Sequence, residues 1–368
     1  MKLCCFFNYA PLYRQSVYEA IDKEFDTQFL FGKEVGFKKN SGIAKLDYSI
    51  FKKEPIEFEN KTILKHFLWR TKLIRQLFKG YDTFLVTGDL SFSYIPFIIG
   101  CKLLGKRVYG WGHGPKDING KSGPIFRWLL RRMTGFFTYS EEGKNRMCEL
   151  CFDKNKVHVI YNSLSAPVGN YNFGSDIYHK HFKNKYPVIQ FVGRLTASKK
   201  LDWLIKAHSQ LNSSGFNCNL VIIGDGETKE NLIQLSKNYG YIDRIWFYGE
   251  CYDDEFNREL IYNADLCVSP GNVGLTAIHS LQYGTPVISH NNFYKQGPEY
   301  EVIVPYKTGL LYKEGDYENF YKVINDWFKF AQDRREEIRQ NCYEMINGKW
   351  NSDNQIAILK KVLNGNAE

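Results

Sequence analysis

The sequence predicts an α/β protein made of two doubly wound parallel-sheet domains facing a central cleft. Three observations carry this. Short β-rich apolar runs alternate with amphipathic helical stretches along nearly all 368 residues, the pattern of parallel sheets covered by helices on both faces. The length exceeds one average core, so two domains are expected. The alternation breaks once, after Asn162, where the chain becomes rich in Gly, Asn, Tyr and charge and loses its periodicity. The expected division is a first domain at 1–164, a linker at 165–186 and a second domain at 187–349. A last helix at about 350–368 is expected to pack back onto the first domain.

In the first domain the strand candidates are Lys2–Asn8, Thr27–Phe31, Thr83–Thr87, Arg107–Gly110, Gly135–Tyr139 and Val157–Tyr161. Helices are expected at Tyr13–Glu24, Lys61–Lys79, Ser91–Leu104 and Glu141–Leu150, the last with Ser140 as its N-cap. The second series has strands at Pro187–Gly193, Asn219–Gly224, Arg244–Gly249, Asp265–Ser269 and Pro286–His290. Its helices are expected at Lys200–Leu211, Glu227–Tyr239, Asp253–Asn263 and Thr276–Tyr283.

The formal net charge of +9 favours anionic partners such as nucleotide phosphates or a lipid surface. No spanning helix is expected, because the longest apolar stretch, near Tyr94–Gly100, is interrupted by Pro96 and falls well short of the roughly 18 residues needed. The N-terminus reads as a buried strand and not as a secretory signal. Nine cysteines, an odd number with several inside strand candidates, suggest a reduced, cytoplasmic setting. Cys148 and Cys151 have the spacing of a metal half-site, but no second pair accompanies them, and no metal is expected.

Ligands of such sheets bind beyond the C-terminal ends of strands, so candidate site residues lie there. Ser269 to Ser289 reads as strand end, glycine loop, short helix, glycine stop and strand. Gly271 and Gly274 are expected to bring backbone close to a ligand and to take φ > 0, with the N–H groups of a helix starting near Leu275 offering a phosphate seat. Packing alone also accounts for such a turn. Arg194 and Lys199 follow the strand that ends at Gly193 and are placed to converge on a diphosphate. Gly224-Asp225-Gly226 and Gly249-Glu250-Cys251-Tyr252 end the next two strands. In the first domain His113, flanked by Gly112 and Gly114, forms an open loop with an imidazole that can reach a sugar hydroxyl or carry a proton.

Together these segments resemble the retaining family 4 glycosyltransferases of the GT-B fold, which pairs two Rossmann-like domains. The resemblance rests on Val192-Gly193-Arg194-Leu195 with Lys199, Ile222 to Gly226, Phe247-Tyr248-Gly249 and Ala264-Asp265. It continues through Ser269-Pro270, Gly274-Leu275, Gly284 to Ile288 and Thr308 to Leu311. It covers about residues 187–312, with a weaker likeness in the first half at Tyr139-Ser140-Glu141 and Val157–Asn162.

The resemblance implies that Arg194 and Lys199 bind the donor diphosphate, that His113 sits near the transferred sugar, and that the loop Gly249, Glu250, Cys251 and Tyr252 faces the base. Gly193, Gly224, Asn272, Val273, Gly274 and Leu275 would complete the donor site. Most of the family has two glutamates where this chain has Gly271 and His279, so the chain is similar to a branch with those substitutions. His279 retains the ability to bond a ribose hydroxyl, and Glu299 and Glu301 are candidates to replace the lost carboxylate.

The implied reaction is retaining, metal-independent and cofactor-free transfer of a sugar from a nucleotide-sugar to a glycan or lipid-linked acceptor, as in surface polysaccharide (lipopolysaccharide O-antigen, capsule or exopolysaccharide) biosynthesis. Preorganised cations and a helix N-terminus would stabilise the departing diphosphate. No nucleic acid is expected as a partner. Ile125 to Met133, with Phe136, Phe137, Lys72, Arg75 and Lys79, alternates basic and apolar side chains and is a candidate for docking the first domain on the inner, anionic membrane face. A nucleotide-sugar epimerase of the same fold and a non-catalytic nucleotide-binding protein stay open as alternatives.

Overall fold

The computed structural model describes residues 1–34, 43–63, 67–89, 91–114, 123–150, 152–164, 171, 173–174, 177–251 and 253–365. The chain divides into two compact units, Met1–Ser165 with Asn351–Glu368, and Ala166–Trp350.

In the first unit β1 (Lys2–Phe7), α1 (Gln15–Glu24), β2 (Asp26–Gly32) and β3 (Ile56–Phe58) are followed by an antiparallel pair, β4 (Asn60–Ile63) and β5 (Phe67–Arg70). Then come β6 (Thr83–Thr87), α2 (Tyr94–Leu103), β7 (Arg107–Gly112), α3 (Gly123–Leu130), β8 (Gly135–Thr138), α4 (Glu141–Glu149) and β9 (Val157–Val159). Seven of these strands form one sheet in the order β3-β2-β1-β6-β7-β8-β9, parallel throughout. Alternation along a strand sends successive side chains to opposite faces. Leu3, Cys5 and Phe7 therefore enter one core with Val17 and Ile21 of α1, while Cys4 and Phe6 enter the other with Phe97 and Ile98 of α2. Burial on both faces is why β1 reads as a continuous apolar run. Ser140 caps α4, its hydroxyl accepting from the Gly143 amide at 3.0 Å.

The second unit runs α5 (Ile177–Phe182), β10 (Val188–Val192), α6 (Leu201–Ser213), β11 (Asn219–Ile223), α7 (Lys229–Asn238), β12 (Ile245–Gly249), α8 (Asp254–Asn263) and β13 (Leu266–Val268). It continues with α9 (Thr276–Gln282), β14 (Val287–His290), β15 (Gly309–Tyr312), α10 (Tyr317–Ala331) and α11 (Arg335–Gly348). Its sheet has the order β12-β11-β10-β13-β14-β15. The chain then returns to the first unit as α12 (Ser352–Leu363). Leu359 and Leu363 of α12 are fully buried beside α1, worth about 1.5–3 kcal/mol each. Gln355 donates to the Tyr161 carbonyl at 2.6 Å, and Arg107 donates to the Leu363 carbonyl at 2.6 Å.

Four expectations need correction. Among the described residues of 61–79 the expected helix is absent: β4 and β5 pair Asn60 with Arg70 and Lys61 with Trp69, and a short 3-10 turn follows at Ile74–Phe78. Thr62, Ile63, Phe67 and Trp69 favour a pleated surface, and Arg70 is drawn in by tertiary partners, its buried guanidinium bonding Thr87, Tyr94 and Asp89. The span expected as linker contains α5, anchored where the buried Tyr178 hydroxyl donates to the Leu260 carbonyl at 2.7 Å. Two edge strands, β3 and β15, carry no periodic signal because they have three and four residues. Phe136 and Phe137, grouped above with a docking surface, are fully buried in β8. Cys151 and Tyr252 lie outside the described residues.

Candidate functional site

Each sheet reverses its winding direction once, between β1 and β6 in the first unit and between β10 and β13 in the second. In open parallel sheets the gap beyond the C-terminal ends at such a switch point is where ligands bind. The β10/β13 switch point is occupied by loops singled out in the sequence, whereas the His113 loop follows β7, one strand beyond the β1/β6 switch point.

In the second unit the tips of β10, β11 and β12 are bound to one another through glycines. Gly193 donates to the Ile223 carbonyl at 3.0 Å and Gly224 to the Gly249 carbonyl at 2.7 Å. A Cβ on Gly224 would lie 2.0 Å from the Gly193 carbonyl oxygen, so only glycine permits this spacing. Arg194 leaves this corner exposed to solvent. Lys199 ends the following turn and reaches across the switch point, where its ammonium donates to the Asn272 carbonyl. Burial, with Arg194 as the second cause, lowers the Lys199 pKa. The neighbouring Lys200 is otherwise engaged, at 3.1 Å from Glu314, which its bonds with Lys295 and Lys200 hold at a pKa of about 2.

The loop after β13 is held from several elements. The Ser289 hydroxyl of β14 donates to the Ser269 carbonyl at 2.9 Å and to that of Gly271 at 3.2 Å. The buried Gln296 side chain accepts from the Val273 amide at 3.0 Å and donates to Ser289 at 2.8 Å. The Tyr312 hydroxyl of β15 donates to the Pro270 carbonyl, and Asn272 donates to the Lys295 carbonyl at 3.1 Å. Ser289, Gln296 and Tyr312 were missed in the sequence, since each acts on a loop 18 to 42 residues away.

The expectation for Gly271 needs correction. Gly274 does take a positive φ, 55°, and the half-buried Leu275 precedes α9. Gly271 has no positive φ, and its close neighbour is the chain itself. A Cβ there would lie 2.1 Å from the Ser198 carbonyl oxygen and 2.7 Å from the Lys199 Cα, and its amide donates to the Lys199 carbonyl at 3.0 Å. The glycine thus lets the β10 and β13 loops touch, which seats Lys199.

His279 lies on α9 against Tyr283, with ring centroids 5.4 Å apart, and burial pushes its pKa down to about 4. It is therefore a neutral imidazole at neutral pH, able to donate to or accept from a hydroxyl. Glu299 is buried, and its carboxylate is tucked under Gly297, where a Cβ would meet it at 2.2 Å and Gly274 Cα at 3.7 Å. Glu301 is half-buried. Glu250 is exposed, and Cys251 is half-buried with its thiol 3.4 Å from the Asp253 carbonyl. Among the described residues no cluster of His, Cys, Asp or Glu could hold a metal ion.

In the first unit the loop after β7 leaves His113 exposed, its ring 5.1 Å from that of Tyr139. Both border a cavity of about 300 Å³ at the β1/β6 switch point. Asp89 lines it too and is held below the usual carboxylate range: burial opposes its charge, but the charge and hydrogen bond of Arg70, with hydrogen bonds from Thr87 and the backbone, together outweigh burial.

Residues 176–345 match the family model "Glycosyl transferases group 1". Over 130 residues the chain is 28% identical to an alpha-D-kanosaminyltransferase of Streptomyces kanamyceticus, covering 33% of each protein. Over 141 residues it is 29% identical to a lipopolysaccharide core biosynthesis glycosyltransferase of Rhizobium meliloti, covering 38% of each. The chain thus matches little more than a third of the length of these curated relatives. Among solved structures it is similar to HepE of Anabaena in complex with UDP, with a TM-score of 0.71 at 15% identity over 99% of this chain and 100% of that one. Residues 176–345 are thus similar to the group 1 glycosyltransferases, and the two parallel sheets of the chain have the GT-B fold.

Proposed function

We propose that the protein is a retaining, metal-independent glycosyltransferase that moves a sugar from a nucleotide-sugar donor to a glycan or lipid-linked acceptor of a surface polysaccharide. The observation that carries this reading is the half-buried Lys199 at the β10/β13 switch point, bonded to the Asn272 carbonyl with the Arg194 charge close enough to lower its pKa. Burial and the neighbouring cation both penalise the Lys199 ammonium, an arrangement that costs stability until an anion neutralises it. A donor diphosphate supplies that anion. As the sugar leaves, negative charge grows on the diphosphate, and fixed cations stabilise it without reorganising. Gly193, Gly224 and Gly249 let backbone approach the nucleotide, with Asn272 to Leu275, His279 and Glu299 on the sugar and ribose side. UDP in the similar Anabaena structure and the lipopolysaccharide relative support the donor and pathway class.

The direct test is a nucleotide-sugar panel scored by thermal unfolding. A true donor at about 100 times its Kd raises stability by about 2.7 kcal/mol, and it is then consumed only when an acceptor is added. Turnover of a donor to an isomer without acceptor would point to epimerisation, and no shift with any donor would sink the reading.

We also place the first unit on an anionic membrane surface. Among the described residues no helix is long and apolar enough to cross a membrane, but α2 leaves Leu103 81% and Ile99 41% exposed, and Phe78 beside it is 76% exposed. Arg75, Lys79, Lys102 and Arg131 are exposed on the same or adjoining elements, so apolar insertion and phosphate attraction act together. Phe78→Glu with Leu103→Glu is expected to abolish co-sedimentation with phosphatidylglycerol vesicles while leaving nucleotide binding intact. Undiminished co-sedimentation would contradict the assignment.

A further inference from the structure

The cavity of the first unit has a chemistry that the donor site does not use. It lies beyond the ends of β1, β6 and β7, and its lining includes Tyr9, Arg14, Asp89, Trp111, His113 and Tyr139. Its volume of about 300 Å³ is at the lower end of small-molecule pockets, enough for a short saccharide end and not for a long chain.

The Arg14 guanidinium lies 5.0 Å from the Tyr139 ring centroid and 6.0 Å from that of Tyr13. Burial opposes its charge, but Tyr139, Tyr18 and Tyr13 outweigh burial and raise its pKa. Asp89 is the one carboxylate among the described lining residues, and it is already paired with the buried Arg70. Arg14 has no carboxylate partner among the described residues. Among the described residues the cavity therefore presents one cation without a carboxylate partner, on an aromatic wall. Trp111 adds a donor, since its indole N–H is buried and meets no acceptor among the described residues.

We propose that this cavity is the acceptor-sugar subsite and that it selects a sugar bearing an anionic substituent, a carboxylate or a phosphate, bound by Arg14. Guanidinium engages either group with two parallel hydrogen bonds, which an ammonium cannot do. The aromatic wall packs against the apolar face of a sugar ring, while Asp89 accepts from a ring hydroxyl and the Trp111 N–H donates to a ring oxygen substituent. The proposal rests on the glycosyltransferase reading only for the word acceptor, because binding is measured without donor.

The experiment is NMR titration of the full chain with methyl glucuronide, glucose 6-phosphate and methyl glucoside, with donor binding followed separately by thermal shift. At least one anionic sugar should bind tenfold or more tightly than the neutral glucoside, and which one separates the carboxylate from the phosphate source. Arg14→Met should erase that preference, and Arg14→Lys, which preserves the charge over the Tyr139 ring, should retain part of it. Equal affinity for charged and neutral sugars would overturn the proposal. So would a tenfold loss of nucleotide affinity in Arg14→Lys, which would place the cavity in the donor's phosphate site. Sugar selection by Arg14 with no donor bound by any variant would instead count against the wider transferase reading alone.

Discussion

Lys199→Ala is expected to lower sugar transfer by about 10²-fold or more, the usual cost of removing one preorganised group from a developing oxyanion. The loss should fall mainly on kcat, because leaving-group charge is greatest in the transition state. Arg194→Ala should act in the same direction, and the double variant should lose less than the product of the single losses, since two cations on one diphosphate are coupled. Removing Arg194 also relieves a repulsion that lowers the Lys199 pKa, so part of its effect is returned through Lys199. Initial rates with a confirmed donor decide the matter, and near-normal turnover in Lys199→Ala would remove the basis for the proposed function.

Gly271→Ala is expected to destabilise the second unit by about 1–3 kcal/mol, the range for overpacking a close contact. The added Cβ would sit 2.1 Å from the Ser198 carbonyl oxygen, so the β10 and β13 loops must separate. Separation takes Lys199 off the Asn272 carbonyl, and transfer should fall along with the unfolding midpoint. Gly271→Glu, which installs the carboxylate that the family resemblance leads one to expect at this position, should therefore fail to improve the enzyme and should lower both quantities further. A thermal melt together with a rate measurement tests this. A Gly271→Glu protein of undiminished stability and higher activity would show that the loop accommodates the carboxylate, and that the packing described here does not govern it.

Much of the fold could be read from the sequence because burial on two faces leaves a one-dimensional record. Strands such as β1, β10 and β11 are apolar at nearly every position, and the helices between them alternate with a longer period. That record failed at residues 61–79, where spaced charges imitated a helix and the deciding factor was Arg70 with its partners 17 to 24 residues away. It failed again at β3 and β15, which are too short to show a period.

The candidate site divides in the same way. The sequence by itself determined the alternation of strands and helices and the order of the loops that follow the strands. It also placed Arg194 and Lys199 after one of them, because each is a property of neighbouring residues. Only the tertiary structure decided what those loops touch. Lys199 and Asn272 are 73 residues apart, Gly271 is glycine because another loop's backbone lies against it, and Arg14 and Tyr139 share a cavity from opposite ends of the first unit. Contacts of that separation are set by how strands are ordered in a sheet, and a local pattern of polar and apolar residues does not record that order.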